Sequence, residues 1–172
     1  MKKIYIVLTY TGTILSKVVK VYTRKEFSHV SIALDEDLKE MYSFGRLNAY
    51  NPFWAGFVQE AIDKGTFKRF KNTKALVYSL EVDEEQYDKI VKINRDIKNN
   101  RLDYNFNILG LIGVMVNHKI HRDKYFYCAE FVKYVLEQSN VCSLPDLVKP
   151  EHFNDIDNLD IVYDGPLKKY GR

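Results

Sequence analysis

The sequence predicts an α+β fold, and three observations carry that expectation. Strand-like runs crowd into the first half of the chain, up to about residue 82. Two helical apolar stripes, over 83 to 98 and 125 to 138, lie in the second half. The composition, 46% hydrophobic and 14% aromatic with only 8 glycines and 4 prolines, is that of a packed globular protein able to form its core without staples. Strands gathered on one side of the chain with helices around them give an α+β arrangement. At 172 residues, without repeats or a Pro/Gly/Ser linker, the chain 1–172 reads as one domain.

"KIYIVLTY" (3 to 10) is a β-branched and aromatic run, read as a strand. "ILSKVVKVYT" (14 to 23) sets Ile14, Val18, Val21 and Tyr22 at helical spacing. "FSHVSIAL" (27 to 34) alternates. It predicts the first arm of a hairpin, with an acidic turn and a second strand from about Lys39 to Phe44. "FVQEAI" and "KALVYSLEV" add strands.

Asp83 is placed to cap the helix 83 to 98, whose apolar stripe is Tyr87, Ile90, Val91, Ile93 and Ile97. "NFNILGLIGVMV" reads as a short buried helix despite its glycines, and "DIVYD" (160 to 164) as a last strand.

The longest apolar stretch, "ILGLIGVMV" (108 to 116), is far shorter than the about 20 residues a spanning helix needs, so no transmembrane segment is expected. Cys128 and Cys142 are too few for a secreted disulfide scaffold and are taken as reduced thiols, which points to a cytoplasmic protein. A net charge of +3 gives weak support at best to a polyanionic partner, and no nucleic acid is expected. The densest basic stretch, "DKGTFKRFKNTK", interleaves Lys64, Lys68, Arg69, Lys71 and Lys74 with Phe67 and Phe70. It reads as the solvated edge of a strand or as a patch for an acidic ligand.

In the helix 125 to 138, Cys128, Val132 and Val135 fall at i, i+4 and i+7, so the thiol points inward with the apolar stripe. A lone cysteine there is ordinarily a small core residue. Its place in the first turn argues for more, because unpaired backbone N–H groups and the helix dipole favour a thiolate. Magnitude shows that a partner is needed. Bringing a thiol from about 8.5 to well below 7 takes more than about 2 kcal/mol, whereas a dipole supplies about 1 at most.

His118 and His121 lie in the polar "NHKIHRDK" connection and His152 in a Pro-Glu-His-Phe loop, all reading as exposed. His29 opens the "HVSIAL" strand, with Val30, Ile32 and Leu34 on one face and His29, Ser31 and Ala33 on the other. Small Ser31 and Ala33 leave room for a helix on the histidine face, although a solvent-facing polar edge gives the same pattern.

On these residues the chain resembles a known family. "FSHVSIAL" is similar to the His-Val-Gly-Ile strand of NlpC-like papain-fold cysteine peptidases, and "YFYCAEFVKYVLEQ" to the Cys-Ser-Glu-Phe-Val helix of their circularly permuted branch. Histidine before cysteine is the order of the permuted members, the YiiX-like hydrolases and the lecithin retinol acyltransferase group. "TGTILSKVVKVYTRKEFSHVSI" resembles their opening Gly-Asp-Ile-Leu segment, with Thr13 where the aspartate would stand. The likeness covers residues 12 to 45 and 124 to 138.

The resemblance implies a papain-like antiparallel sheet packed against helices, and a pair in which Cys128 attacks a carbonyl while His29 accepts and returns the proton. The Cys128 backbone N–H would hold the oxyanion together with a second donor, for instance Tyr10. The family's third residue orients the histidine from the neighbouring strand. Alignment puts Tyr42 at that position, a departure from the expected carboxylate, amide or imidazole. If the turn spans 35 to 38, Leu34 pairs with Lys39, and both Glu40 and Tyr42 project to the His29 face. Glu40 then offers the better chemistry and Tyr42 the better place. Tyr42 is equally readable as a core aromatic. Glu130, the glutamate of the Cys-x-Glu pattern, projects away from the Cys128 stripe and reads as favourable first-turn charge.

The expectation is a thiol hydrolase with Cys128, His29 and Tyr42 as its catalytic residues, acting on a peptide-like or acyl small molecule and needing no cofactor. A lipid acyltransferase or esterase of the same fold is the alternative. Rival readings are an inactive papain-like module binding an anionic ligand and a metal site drawn from Cys128, Cys142, His118, His121 and His152. The spacing of that last set matches no standard zinc motif.

Overall fold

In the computed structural model, which describes residues 1–13, 17 and 26–171, a six-stranded antiparallel sheet is packed against helices. The strands are β1 (Lys2–Tyr10), β2 (His29–Ala33), β3 (Met41–Asn48), β4 (Asn51–Glu60) and β5 (Lys74–Val82), with β8 (Leu159–Pro166) at the end of the chain. Their order is β4-β3-β2-β1-β5-β8. Two-residue strands β6 (Asn105–Phe106) and β7 (Tyr125–Phe126) pair in parallel as a second, two-stranded sheet.

Strand β1 is central and covered on both faces, and Ile4, Ile6, Val7 and Leu8 are all 0% exposed. That is why its sequence is continuously apolar instead of alternating.

The longer α-helical segments among the described residues are α1 (Gly65–Arg69), α2 (Glu84–Asn99), α3 (Ile108–Met115) and α4 (Cys128–Gln138). Helix α2 starts where the sequence places it. The Asp83 carboxylate accepts from the Gln86 N–H at 2.8 Å and the Gln86 side chain accepts from the Asp83 N–H at 3.0 Å. Its buried Ile90 and Ile97 join α4 residues Phe131, Val132, Val135 and Leu136 over the Val30 and Ile32 face of the sheet. Full burial of each such α4 side chain stabilises the fold by about 1.5–3 kcal/mol, enough to fix where the helix lies. The other face carries a smaller cluster in which Tyr5, Val7, Ala33 and Met41 meet Phe67 of α1 and Leu167.

The predicted helix 14 to 23 lies outside the described residues apart from Lys17. Four readings change. The basic stretch forms the single-turn α1 and not a strand edge. The cysteine helix begins at Cys128, because Tyr125 and Phe126 pair with β6. It also packs on the Val30/Ile32 face, not on the face of Ser31 and Ala33.

The fourth change, in the β2–β3 connection, decides the histidine's partner. Asp35 caps the turn, its carboxylate accepting from the backbone N–H groups of Lys39 at 2.9 Å and Glu40 at 2.6 Å, and Leu38 takes a φ of 55°. Leu34 therefore bonds Glu40, and Ile32 lies opposite Tyr42. The turn is one residue longer than the sequence suggests. A one-residue slip sends every side chain of a strand to the other face, so Glu40 and Tyr42 leave the His29 side.

Candidate active site

The first residue of α4 is Cys128, 7% exposed, at the point where helix N–H groups lack intrahelical partners. Its position is fixed from both sides. The Tyr127 hydroxyl donates to the Val148 carbonyl at 2.8 Å, and the Glu130 carboxylate accepts from the Tyr127 N–H at 3.3 Å and from the Asn107 side chain at 3.1 Å. Asn107 is itself the cap of α3, accepting from the Gly110 N–H at 2.9 Å. Glu130 thus ties the starts of two helices together. Burial pushes its carboxyl pKa upward, opposed by the Asn107 and Tyr127 bonds.

Across the cleft, His29 opens β2 with its side chain 20% exposed. Its Nε2–H donates to the Glu60 carboxylate, at 3.0 Å to Oε1 and 3.3 Å to Oε2. Ser31 donates to the other side of the same carboxylate. Glu60 stands at the end of β4, two strands from β2, and the ring and carboxylate meet over Gly45 of the intervening β3. A Cβ on Gly45 would lie 3.3 Å from His29 Cε1 and 3.7 Å from Glu60 Oε1. The absent side chain makes the gap in which they meet.

The Cys128 sulfur stands near the His29 ring in the same cleft, close enough to favour its charged form. Burial works against charging the ring, but the Glu60 carboxylate and the Cys128 sulfur outweigh it and push the His29 pKa up to about 10. The ring is therefore imidazolium at neutral pH. Cys142 sits in a different environment, partly buried beside Glu137, and burial with that charge pushes its thiol up to about 11.

Cys128 and His29 line one cleft of about 750 Å³ together with Glu60. The cleft is largely apolar, with Phe44, Phe70, Phe106, Ile108 and Leu111 in its walls.

Of the sequence-predicted site residues, Cys128 and His29 are brought together and Tyr42 is not. The Tyr42 ring is 5% exposed and stacks on Phe57 at 5.8 Å between centroids, on the face opposite Ser31 and Ala33. Glu40 is exposed, and Tyr10 lies outside the cleft lining, to which Thr11 and Thr13 contribute. Sequence reasoning missed Glu60. Its strand was legible, but nothing in linear spacing brings its last residue to a histidine 31 positions earlier.

His118 and His121 are exposed, and His152 Nδ1 accepts from the Lys149 N–H at 3.2 Å. Among the described residues no three His, Cys, Asp or Glu side chains converge as the ligands of a metal do.

An α+β protein with a six-stranded antiparallel sheet packed against helices, and a Cys–His–Glu constellation lining one cleft, is consistent with a papain-like fold. The fold is similar to that of the metalloprotein YiiX from Escherichia coli O157:H7. The two agree over 95% of this chain and 97% of YiiX, with a TM-score of 0.57 at 15% sequence identity. No protein-family profile matches the sequence, and no curated protein matches it. No helix among the described residues is long and apolar enough to cross a membrane.

Proposed function

We propose that this chain is a thiol hydrolase of the permuted NlpC-like, YiiX-like papain branch, cleaving a peptide-like amide through an acyl-cysteine intermediate. The observation that carries the reading is His29 bonded to the Glu60 carboxylate in the cleft that Cys128 lines from the head of a helix.

Cys128, at a helix terminus and beside the imidazolium, supplies the sulfur nucleophile. With Nε2–H engaged by Glu60, Nδ1 is the nitrogen left for proton transfer. The sulfur adds to the substrate carbonyl carbon, and the oxyanion is received by the Cys128 backbone N–H. As the C–N bond breaks, the imidazolium gives its proton to the departing amine. Water then attacks the thioester while neutral His29 takes its proton. The C–S bond breaks, the acid leaves, and the thiolate–imidazolium pair is restored. Glu60 keeps the ring oriented, as the carboxylate of a catalytic triad does.

A lipid or other acyl ester is the second reading. It is favoured by the phenylalanine, isoleucine and leucine walls of the cleft, which suit a hydrocarbon chain better than a polar peptide.

Incubation with p-nitrophenyl acetate and intact-mass measurement tests both readings, which share the intermediate. An acetyl adduct on Cys128, absent from Cys128→Ser and formed far more slowly in His29→Ala, is expected. Acetylation spread over surface lysines, unchanged in both variants, would sink the proposal.

A further inference from the structure

The basic stretch 64–74 does not act as one patch. Lys74 is paired with Glu26 at 2.9 Å, whereas Arg69, at the end of α1, lines the cleft that holds Cys128 and His29. A second guanidinium, that of the half-buried Arg46 on β3, lines the same cleft. Both stand around one ring, with the Arg46 and Arg69 guanidinium carbons 5.6 Å and 5.4 Å from the Phe70 centroid. Arg69 also lies 3.8 Å from the centre of the Tyr50 ring.

Their polar partners are neutral. Arg46 Nη2 donates to Thr13 Oγ1 at 2.6 Å and Arg69 Nη1 to the Ala49 carbonyl at 3.3 Å. Among the described residues neither guanidinium pairs with a carboxylate, and the one acid in the cleft lining, Glu60, is taken by His29 and Ser31. Burial and the neighbouring Arg69 charge both press the Arg46 pKa downward.

Two like charges stand around one aromatic ring, Arg46 half-buried and Arg69 exposed, and they repel each other. An oxyanion entering between them relieves that repulsion and accepts from planar forks suited to carboxylate and phosphate.

We propose that Arg46 and Arg69 form a subsite for an anionic oxygen group, carboxylate or phosphate, carried by the substrate. Taken with the apolar walls, this makes the substrate an anionic amphiphile. Its carbonyl meets Cys128, its hydrocarbon part runs along Phe44, Phe106 and Leu111, and its charge ends at the two arginines. As a substrate subsite it rests on the hydrolase reading; the binding of an anion there does not.

Calorimetric titration of the unmodified protein with octyl phosphate, octanoate and neutral octanol is the test. None of the three is a substrate for acyl transfer to a thiol, so the titration reads the subsite even if Cys128 is inert. At least one anion is expected to bind ten times or more tighter than octanol, and the tighter of the two names the group. Arg69→Met and Arg46→Met should each erase most of that preference. Arg69 is exposed, so its replacement leaves the fold intact, as thermal unfolding will show, and keeps the test decisive if Arg46→Met misfolds. Octanol binding as tightly as both anions, or anion affinity unchanged in Arg69→Met, overturns the proposal.

Discussion

The carboxylate of Glu60 on β4 and the imidazole of His29 on β2 meet at 3.0 Å across an intervening strand, over a glycine that supplies no side chain to separate them. Sheet order, and not sequence proximity, makes this pair.

Replacement of Glu60 separates orientation from folding. Glu60→Gln keeps the shape but removes the charge that holds the ring as imidazolium. Iodoacetamide labelling of Cys128 at pH 7 should slow by about tenfold or more, the scale of about 1.4 kcal/mol of charge stabilisation withdrawn from the ring. Tyr42→Phe should leave the labelling rate unchanged, since the Tyr42 ring serves the Phe57 stack. If the two variants exchanged these phenotypes, the tyrosine would be the orienting residue.

The two thiols should differ in rate before any substitution. With Cys142 pushed up to about 11, roughly one part in ten thousand is thiolate at neutral pH. Peptide mapping after brief alkylation should find Cys128 modified first, and His29→Ala should abolish the difference. Equal, slow modification of both cysteines in the wild-type protein would count against a primed nucleophile.

Stability should carry the same pair's signature in its pH dependence. His29 is raised from an ordinary 6.5 to about 10 in the folded protein, so the folded state binds the proton more tightly than the unfolded chain. That contribution is fully present below pH 6.5 and is lost as pH rises toward about 10. Urea unfolding at pH 6 and pH 10 should show wild type losing more stability over this interval than Glu60→Gln. Equal losses would mean that the pair contributes nothing to folding.

At Gly45 the expectation is a loss of rate without a loss of fold. An added methyl would lie 3.3 Å from His29 Cε1, so the ring must yield by a few tenths of an ångström. Gly45→Ala should reduce Cys128 labelling several-fold, while its melting temperature stays near or above wild type, because alanine in a strand recovers about 0.5–1 kcal/mol of backbone entropy. A melting temperature lowered in step with the rate would point to general damage to the sheet.

Glu130 offers the opposite contrast. Glu130→Ala removes the acceptor shared by the Tyr127 N–H and the Asn107 side chain, at a cost of about 1–3 kcal/mol for groups left buried without a partner. Denaturant unfolding should register that cost. Glu130→Gln, which keeps an acceptor oxygen, should restore part of it.

The sequence by itself determined which segments are strands and helices wherever local chemistry dictates them. The apolar run of β1, the Asp83 and Gln86 cap, and the stripe that turns Cys128 inward were all legible. So were the alternation that separates Val30 and Ile32 from Ser31 and Ala33, and the pairing of Cys128 with His29 as the site to look for. Tertiary structure alone decided what holds the histidine and what else enters the cleft. A single extra residue in the Asp35 turn reversed the facing of Tyr42. Glu60 and Arg69 reach the site only because sheet order and the α1 turn carry them there. Local periodicity is written in neighbouring residues, whereas strand register and strand order depend on turn geometry and long-range packing that linear spacing does not encode.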